Sequence, residues 1–518
     1  MSRPHLMTSL LLRLIATISI VLASLAPATP SFAAVTVKSV PAQIKSASGG
    51  KFRKFYKARG FLPIWSRKGT IGPEADQLIA LLQTANLDGL NPQDYQPRAL
   101  KEAVEEARAG TPNVIGRTEL KLSKALFAYA RDLRDPRSIR TGKIVYADAR
   151  LTPKRLNPAD VLLPAAIAPS LSDHITQMGW MSPFYGQLRS ALADFQTHWD
   201  ALPALPIAQG TALKLGAKGD RVSDLRKRLG FADGARFDKA LAWKVKVFQS
   251  EHGLRPTGIA DDDTIAALNR GSASYEAKMR LNLERARILP PASVRHIVVN
   301  VADARLWMID GDKDPASMRV IVGKADQAEQ TPMLVGMVSY AILNPYWNVP
   351  TDLVRDRVAH RVLNGQSFTG LRYEALSDWS ANAQVIPPDQ IDWKAVAAGQ
   401  RELRVRMLPG GENFMGKVKF MLPNDLGIYL HDFPDKSLFN GADRHLSSGC
   451  VRLEEAPRLG AWLFGRALET KSTAPEQVVP LAQPVPVYMV YLTVVPSASG
   501  IAFLNDAYGR DDSQYASR

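Results

Sequence analysis

The hydrophobic pattern of this 518-residue chain changes period near residue 290. That change decides which elements each part of the chain can bury, because helices repeat every 3.6 residues and strands every two. Upstream, apolar residues recur three and four apart. Glu74 to Ala85 carries Leu78, Ile79, Leu81 and Leu82 on one face, and Asp88-Gly89 follows. Glu119 to Leu133 carries Leu122, Leu126, Tyr129 and Leu133, and Asp135-Pro136 ends it. Proline-rich stretches at 152–169 and 203–206 read as connections. Downstream, His296–Val301 and Arg305–Ile309 read as two strands around Ala302-Asp303-Ala304. Met318–Val322, Val335–Ile342, Lys417–Met421, Ile428–His431 and Val485–Val494 read as further strands. The pattern predicts a multidomain α+β chain. A helical scaffold domain is expected over 34–208 and a small three-helix module over 209–272. A β-rich, sandwich- or barrel-like domain is expected over 290–496. Within it, Asp352 to Leu363 reads as a helix with Val354, Val358 and Val362 on one face, so residues of about 350–405 are expected to form an inserted helical lid. Residues 497–518 are polar and are expected to lie on the surface as a C-terminal tail.

Residues 1–33 have the parts of an export signal. Arg3 and His5 give a basic start, Leu14 to Leu25 is apolar, Pro27 and Pro30 end the run, and small residues stand at Ser31 and Ala33. The apolar run is short of the ~20 residues needed to span a bilayer. Cleavage after Ala33 is expected, with an uncleaved membrane anchor as the alternative. The net charge of +15 would draw an exported chain towards anionic polymers. Scattered basic residues, with no zinc-finger or RNA-binding signature, argue against nucleic acid.

One cysteine, Cys450, stands in the whole chain, which excludes an intrachain disulfide and any cysteine-based metal site. An unpaired thiol in an exported chain is a liability unless it has a role. Its surroundings are Tyr429-Leu430-His431-Asp432, a spacer, then Ser447-Ser448-Gly449-Cys450-Val451-Arg452. Nucleophilic thiol chemistry needs a sulfur that ionises readily, a base in reach, and donors facing the oxygen that becomes negative. Glycine before the nucleophile permits close approach of substrate to the backbone. His431 and His445 are both near in sequence, and spacing alone does not decide between them.

Two resemblances follow from these residues. Residues 210–270 carry Gly216-x-x-Gly219-Asp220-x-Val222-x-x-Leu225, Val245-x-x-Phe248-Gln249 and Gly258-x-x-Asp261-x-x-Thr264-x-x-x-Leu268 in order, with Asp220 expected to cap the first helix. This pattern resembles the peptidoglycan-binding domain 1 family. The stretch from His431 to Arg452 resembles the YkuD-type L,D-transpeptidases, whose signature is a histidine, a spacer, and Ser/Thr-His-Gly-Cys. Ser448 departs from it, since most of that family has histidine there. Ser-Ser-Gly-Cys-Val-Arg is similar to the large periplasmic, YcbB-like branch, which shares the helical scaffold, binding module and capping insertion. Asn344–Pro350 and Gly416–Phe420 are further shared elements.

The resemblance implies Cys450 as nucleophile and His431 as general base. It implies Gly449 in the oxyanion loop, Ser448 in the same loop, and Arg452 at the substrate carboxylate. Tyr429 would lie by the substrate channel and Trp347 on the lid side. The implied activity is a cysteine acyltransferase of the cell wall, blocked by carbapenems, with consequences for cell shape. A Cys450 thioester would pass to an amine of a second peptidoglycan stem, giving a 3→3 cross-link, without cofactor or metal. Peptidoglycan tetrapeptide stems would be donor and acceptor, other wall-synthesis proteins candidate partners, and the periplasm of a Gram-negative-type cell the location. The alternatives are an L,D-carboxypeptidase or wall-peptide hydrolase using the same cysteine, and a catalytically inactive wall-binding scaffold.

Overall fold

The computed structural model describes residues 39–134, 144–200, 202–311, 313–469, 472–497 and 500–511. The expected export signal lies outside them. Among the described residues no helix is long and apolar enough to cross a membrane.

The N-terminal region is helical. Its longest helix, Pro112–Leu133, begins before the predicted Glu119. Proline at its first turn presets φ and needs no N–H partner there, so the helix starts earlier than the apolar stripe. Leu122, Leu126, Tyr129 and Leu133 are fully buried on one face. The scaffold also supplies a strand to the C-terminal domain: Val145–Tyr146 pairs in parallel with Leu334–Val335.

The binding module has the three expected helices, Asp220–Arg228, Lys239–Glu251 and Asp262–Arg270. Asp220 is not the cap of the first. Gly219 takes that position with φ +117°, and Asp220 lies in the first turn, where its charge favours the helix dipole. Asp238 and Asp261 do cap the other two, accepting from the N–H groups of Leu241 and Thr264. Gln249 ties the following turn down through Gly258 N, Ile259 O and Thr264 Oγ1.

The C-terminal domain is a closed barrel. Val418–Met421, Leu430–Asp432, Val451–Leu453, Ala316–Gly323, Arg305–Ile309, His296–Asn300, Gln477–Val490 and Leu334–Leu343 follow in spatial order, and the last pairs back to the first. Ring closure removes the free sheet edges that an open sandwich would keep. Alternation fills the interior with Ile297, Val299, Leu306, Phe420, Leu430, Val451, Leu453 and Val487. Leu459 and Leu463 of the helix Ala456–Phe464 join the same core.

The insertion is only partly helical. Trp347–Val349, Tyr373–Leu376, Val385–Ile386 and Arg404–Met407 form a separate four-stranded sheet. The predicted helix over Asp352–Leu363 is present but winds with a wide turn through Val354–Ala359. Val354 and Val358 face a small core of the insertion's own, with Phe368, Tyr373 and Val405. The described residues 500–511 are also not a surface tail. Gly500–Phe503 pairs with Val494–Ser497, and Ile501, Phe503, Tyr508 and Asp511 are buried. Hydrophobic Ile501 and Phe503 fill the seam shared by scaffold, module and barrel, which the polar residues around them conceal in the sequence.

Candidate active site

The site sits on the outer face of the barrel, and strand register builds it. The histidine strand, Leu430–Asp432, runs parallel to the cysteine strand, Val451–Leu453, with His431 opposite Arg452. Val451 N–H donates to Tyr429 O at 3.2 Å, which extends the register by one step and sets Tyr429 beside Cys450. Leu430, Val451 and Leu453 point into the barrel core. Alternation therefore turns Tyr429, His431, Cys450 and Arg452 to the opposite face together. Lys419 joins them from the next strand, opposite His431.

Cys450 is partly exposed. Its thiol donates to Gly427 O at 3.6 Å and meets the backbone N–H and the hydroxyl of Tyr429. Burial pushes the thiol above its ordinary value, while Tyr429 and Arg452 pull it back. His431 is buried, and its Nδ1 lies 2.6 Å from Asp432 O. A carbonyl can only accept, so Nδ1 carries the proton and Nε2 keeps its lone pair. Burial, reinforced by the Arg452 charge, lowers the His431 pKa to about 3, so the imidazole is neutral at neutral pH. No hydrogen bond joins Cys450 Sγ to His431 among the described residues, because Tyr429 and not His431 is the neighbour directly across. In such sites a hydrogen bond of this kind often tightens only with substrate bound.

Arg452 stacks over Phe433 at 4.4 Å, and Arg357 of the insertion lies near enough to depress its guanidinium further, after burial. The insertion touches the site through rings: Trp347 packs on Phe414 at 4.7 Å and Phe414 on Phe433 at 5.9 Å. Trp347 thus bears on the site through this chain. Lys419 pairs with Glu476 at 3.2 Å, and Glu476 also accepts from Tyr346 N–H at 2.7 Å. Lys419, Glu476 and Arg357 were not singled out from sequence. Only sheet register and the folded insertion bring them here, although Lys419 lies in the Gly416–Phe420 stretch already noted.

Two glycines shape the site. Gly449 has φ +108°, which admits little but glycine, and its N–H is taken by Ser447 Oγ at 3.2 Å. The Cys450 N–H has no acceptor among the described residues. Gly416 has φ +59°, and a Cβ there would fall 2.6 Å from Asp432 Cβ. Ser448 points away from the thiol: its hydroxyl donates to Glu329 at 3.0 Å, and Glu329 pairs with Lys324. His445 is committed on both ring nitrogens, to Asp443 at 2.7 Å and to Val301 O at 3.1 Å, which leaves it a structural part of the loop. Among the described residues no group of three or more His, Cys, Asp or Glu side chains is arranged to hold a metal ion.

Residues 294–480 match the model of the YkuD L,D-transpeptidase catalytic domain. They belong to the YkuD family of L,D-transpeptidase catalytic domains. Residues 219–268 match the model named "Putative peptidoglycan binding domain", and residues 50–192 match a scaffold domain. A Haemophilus influenzae protein named "Putative L,D-transpeptidase" is 31% identical over 245 residues, covering 45% of this chain and 48% of that protein. The chain thus spans about half the length of the curated relative it matches. A solved L,D-transpeptidase from Xylanimonas cellulosilytica is 13% identical, covers 55% of this chain and 98% of its own, and has a TM-score of 0.15. A fused Zn-dependent amidase/peptidase/peptidoglycan-binding domain-containing protein from Clostridium acetobutylicum is 13% identical, covers 54% and 100%, and has a TM-score of 0.16. At such TM-scores neither superposition bears on the assignment. The L,D-transpeptidase match spans the residues described at the site, from Lys324 to Glu476, and the insertion.

Proposed function

We propose that this protein is a peptidoglycan L,D-transpeptidase that forms 3→3 cross-links through a thioester on Cys450. The observation that carries the reading is the convergence of Cys450, Tyr429, His431 and Arg452 on one face of two parallel strands, inside a domain of the L,D-transpeptidase family. The site rests as a neutral thiol beside a neutral imidazole. Sγ attacks the amide carbonyl before the terminal D-residue of a donor stem as His431 Nε2 takes the thiol proton. The carbonyl oxygen becomes negative and faces the unoccupied Cys450 N–H. When the C–N bond breaks, the proton passes to the leaving amine. The side-chain amine of an acceptor stem then attacks the thioester, a C–N bond forms, and the thiol is restored. Stem peptides carry free carboxylates, and the guanidinium groups of Arg452 and Arg357 are suited to hold them. The module at 219–268 supports a peptidoglycan substrate, and we assign the protein to the periplasm on the export signal in residues 1–33.

Incubation with tetrapeptide-rich peptidoglycan, followed by mass analysis of the muropeptides, tests the reading. The native protein should yield 3→3 dimers and a transient acyl adduct on Cys450, and Cys450→Ala should yield neither. Tripeptides without dimers would identify a hydrolase instead. Dimers from the Cys450→Ala protein would overturn the assignment.

A further inference from the structure

The peptide planes on either side of Cys450 are both pinned, and the pins lead away from the catalytic strands. Ser447 Oγ donates to Cys450 O at 2.6 Å, which fixes the plane after the nucleophile. Thr331 Oγ1 donates to Gly449 O at 2.8 Å, which fixes the plane before it. In a trans peptide the C=O and N–H are antiparallel, so holding Gly449 O aims the Cys450 N–H the opposite way. Thr331 is fully buried and has its own support: its hydroxyl accepts from Gly323 N–H at 2.9 Å. The turn between Gly323 and Thr331 is held in turn by the C-terminal segment. Tyr508 OH donates to Gly323 O and accepts from Thr331 N–H. Arg510 donates to Gln330 Oε1 at 2.8 Å and to Thr331 O at 3.3 Å.

That segment is rigid for stated reasons. Tyr508 stacks on Tyr491 with ring centroids 5.3 Å apart, and its N–H donates to the Tyr491 hydroxyl at 2.8 Å. Asp511, buried, pairs with the fully buried Arg285 at 2.7 Å.

We propose that Thr331 and Tyr508 are positioning residues for the acyl-transfer step, orienting the Gly449–Cys450 peptide so that the Cys450 N–H meets the developing oxyanion. This rests on the reading of Cys450 as the acyl acceptor. Neither residue touches the thiol, so its nucleophilicity should not depend on them, whereas stabilisation of a tetrahedral oxyanion should.

Two reagents separate those effects. A carbapenem must pass through a tetrahedral oxyanion to acylate Cys450, and iodoacetamide alkylates the same sulfur by direct displacement without one. Intact-mass kinetics gives both rates on the full-length protein, with the melting temperature measured alongside. Loss of a complete oxyanion donor costs on the order of 10²–10³ in rate. A misdirected donor should cost part of that, so Thr331→Val is expected to slow acylation about 10- to 100-fold, with alkylation within about twofold of native. Thr331→Ser, which keeps the hydroxyl, should restore acylation to within about threefold. Tyr508→Phe, one step further out, should slow acylation about 3- to 10-fold. Native acylation by Thr331→Val would overturn the inference. So would a parallel fall in acylation and alkylation, which would mark loosening of the loop rather than misdirection of one donor. A native protein that alkylates but accepts no acyl group would overturn the acyl-acceptor reading itself, and this inference with it.

Discussion

Tyr429→Phe tests the electrostatics of the thiol most directly. Three features oppose the burial that raises the Cys450 pKa: the Tyr429 backbone N–H, the Tyr429 hydroxyl and the Arg452 charge. The substitution removes the hydroxyl alone and keeps the ring, whose centroid lies 5.7 Å from that of His431. A hydrogen bond to a neutral group contributes about 0.5–1.5 kcal/mol and one to a charged group about 1.5–3. The thiolate therefore loses about 1–1.5 kcal/mol more than the thiol. At 1.36 kcal/mol per pKa unit this raises the thiol by about one unit, and the partial exposure of Tyr429 trims it towards the lower end. Iodoacetamide alkylation followed by intact mass, from about pH 6 up to the pH at which each rate levels off, is the assay. Cys450 is the only cysteine in the chain, so a single mass increment reports it. Below the midpoint the variant should react about tenfold more slowly, and its plateau at high pH should match the native one. Superimposed profiles, or a lower plateau with an unchanged midpoint, would refute the account of how the thiol is tuned.

His431→Gln should lower acyl transfer on the order of a thousandfold while leaving alkylation at high pH unchanged, as expected for loss of one member of a nucleophile–base unit; paired kinetics of the two reactions checks it. Gly416→Ala forces a left-handed φ on a Cβ-bearing residue, at about 1–2 kcal/mol, and drives that Cβ into Asp432, whose carbonyl holds His431. Its melting temperature should fall by several degrees and acyl transfer should fall further than the stability loss explains. His252, His296 and His431 are each held neutral by burial, with pKa values lowered to about 3, about 4 and about 3. The unfolded chain takes up protons near pH 6.5 that the folded one refuses, so the stability these groups permit above that value is lost as pH falls towards 3–4, at up to ~1.4 kcal/mol per unit each. Glu119, whose pKa burial raises to about 7, opposes this between about 4.5 and 7 by favouring the protonated folded form. Denaturation free energies of His252→Phe at pH 6 and 4.5 should therefore differ by less than those of the native protein, and equal differences would refute the assignment.

The amino-acid sequence by itself determined the local elements and the chemistry on offer. Apolar spacing placed Glu74–Gln83, the three module helices and most barrel strands, since each must bury a stripe of fixed period. A single cysteine preceded by a glycine marked the candidate nucleophile loop before any contact was known. Period does not encode which strands meet. Register alone set Cys450 beside Tyr429, moved His431 to the diagonal and brought Lys419 in from a third strand. Distance along the chain hid the rest: Glu476 reaches Lys419 across 57 residues, and Tyr508 holds Gly323 across 185. Polar composition suggested a loose tail, yet Asp511 is buried because Arg285, on a helix 226 residues away, neutralises it there. A charge can leave water only where a partner waits, and only the tertiary structure supplies that partner.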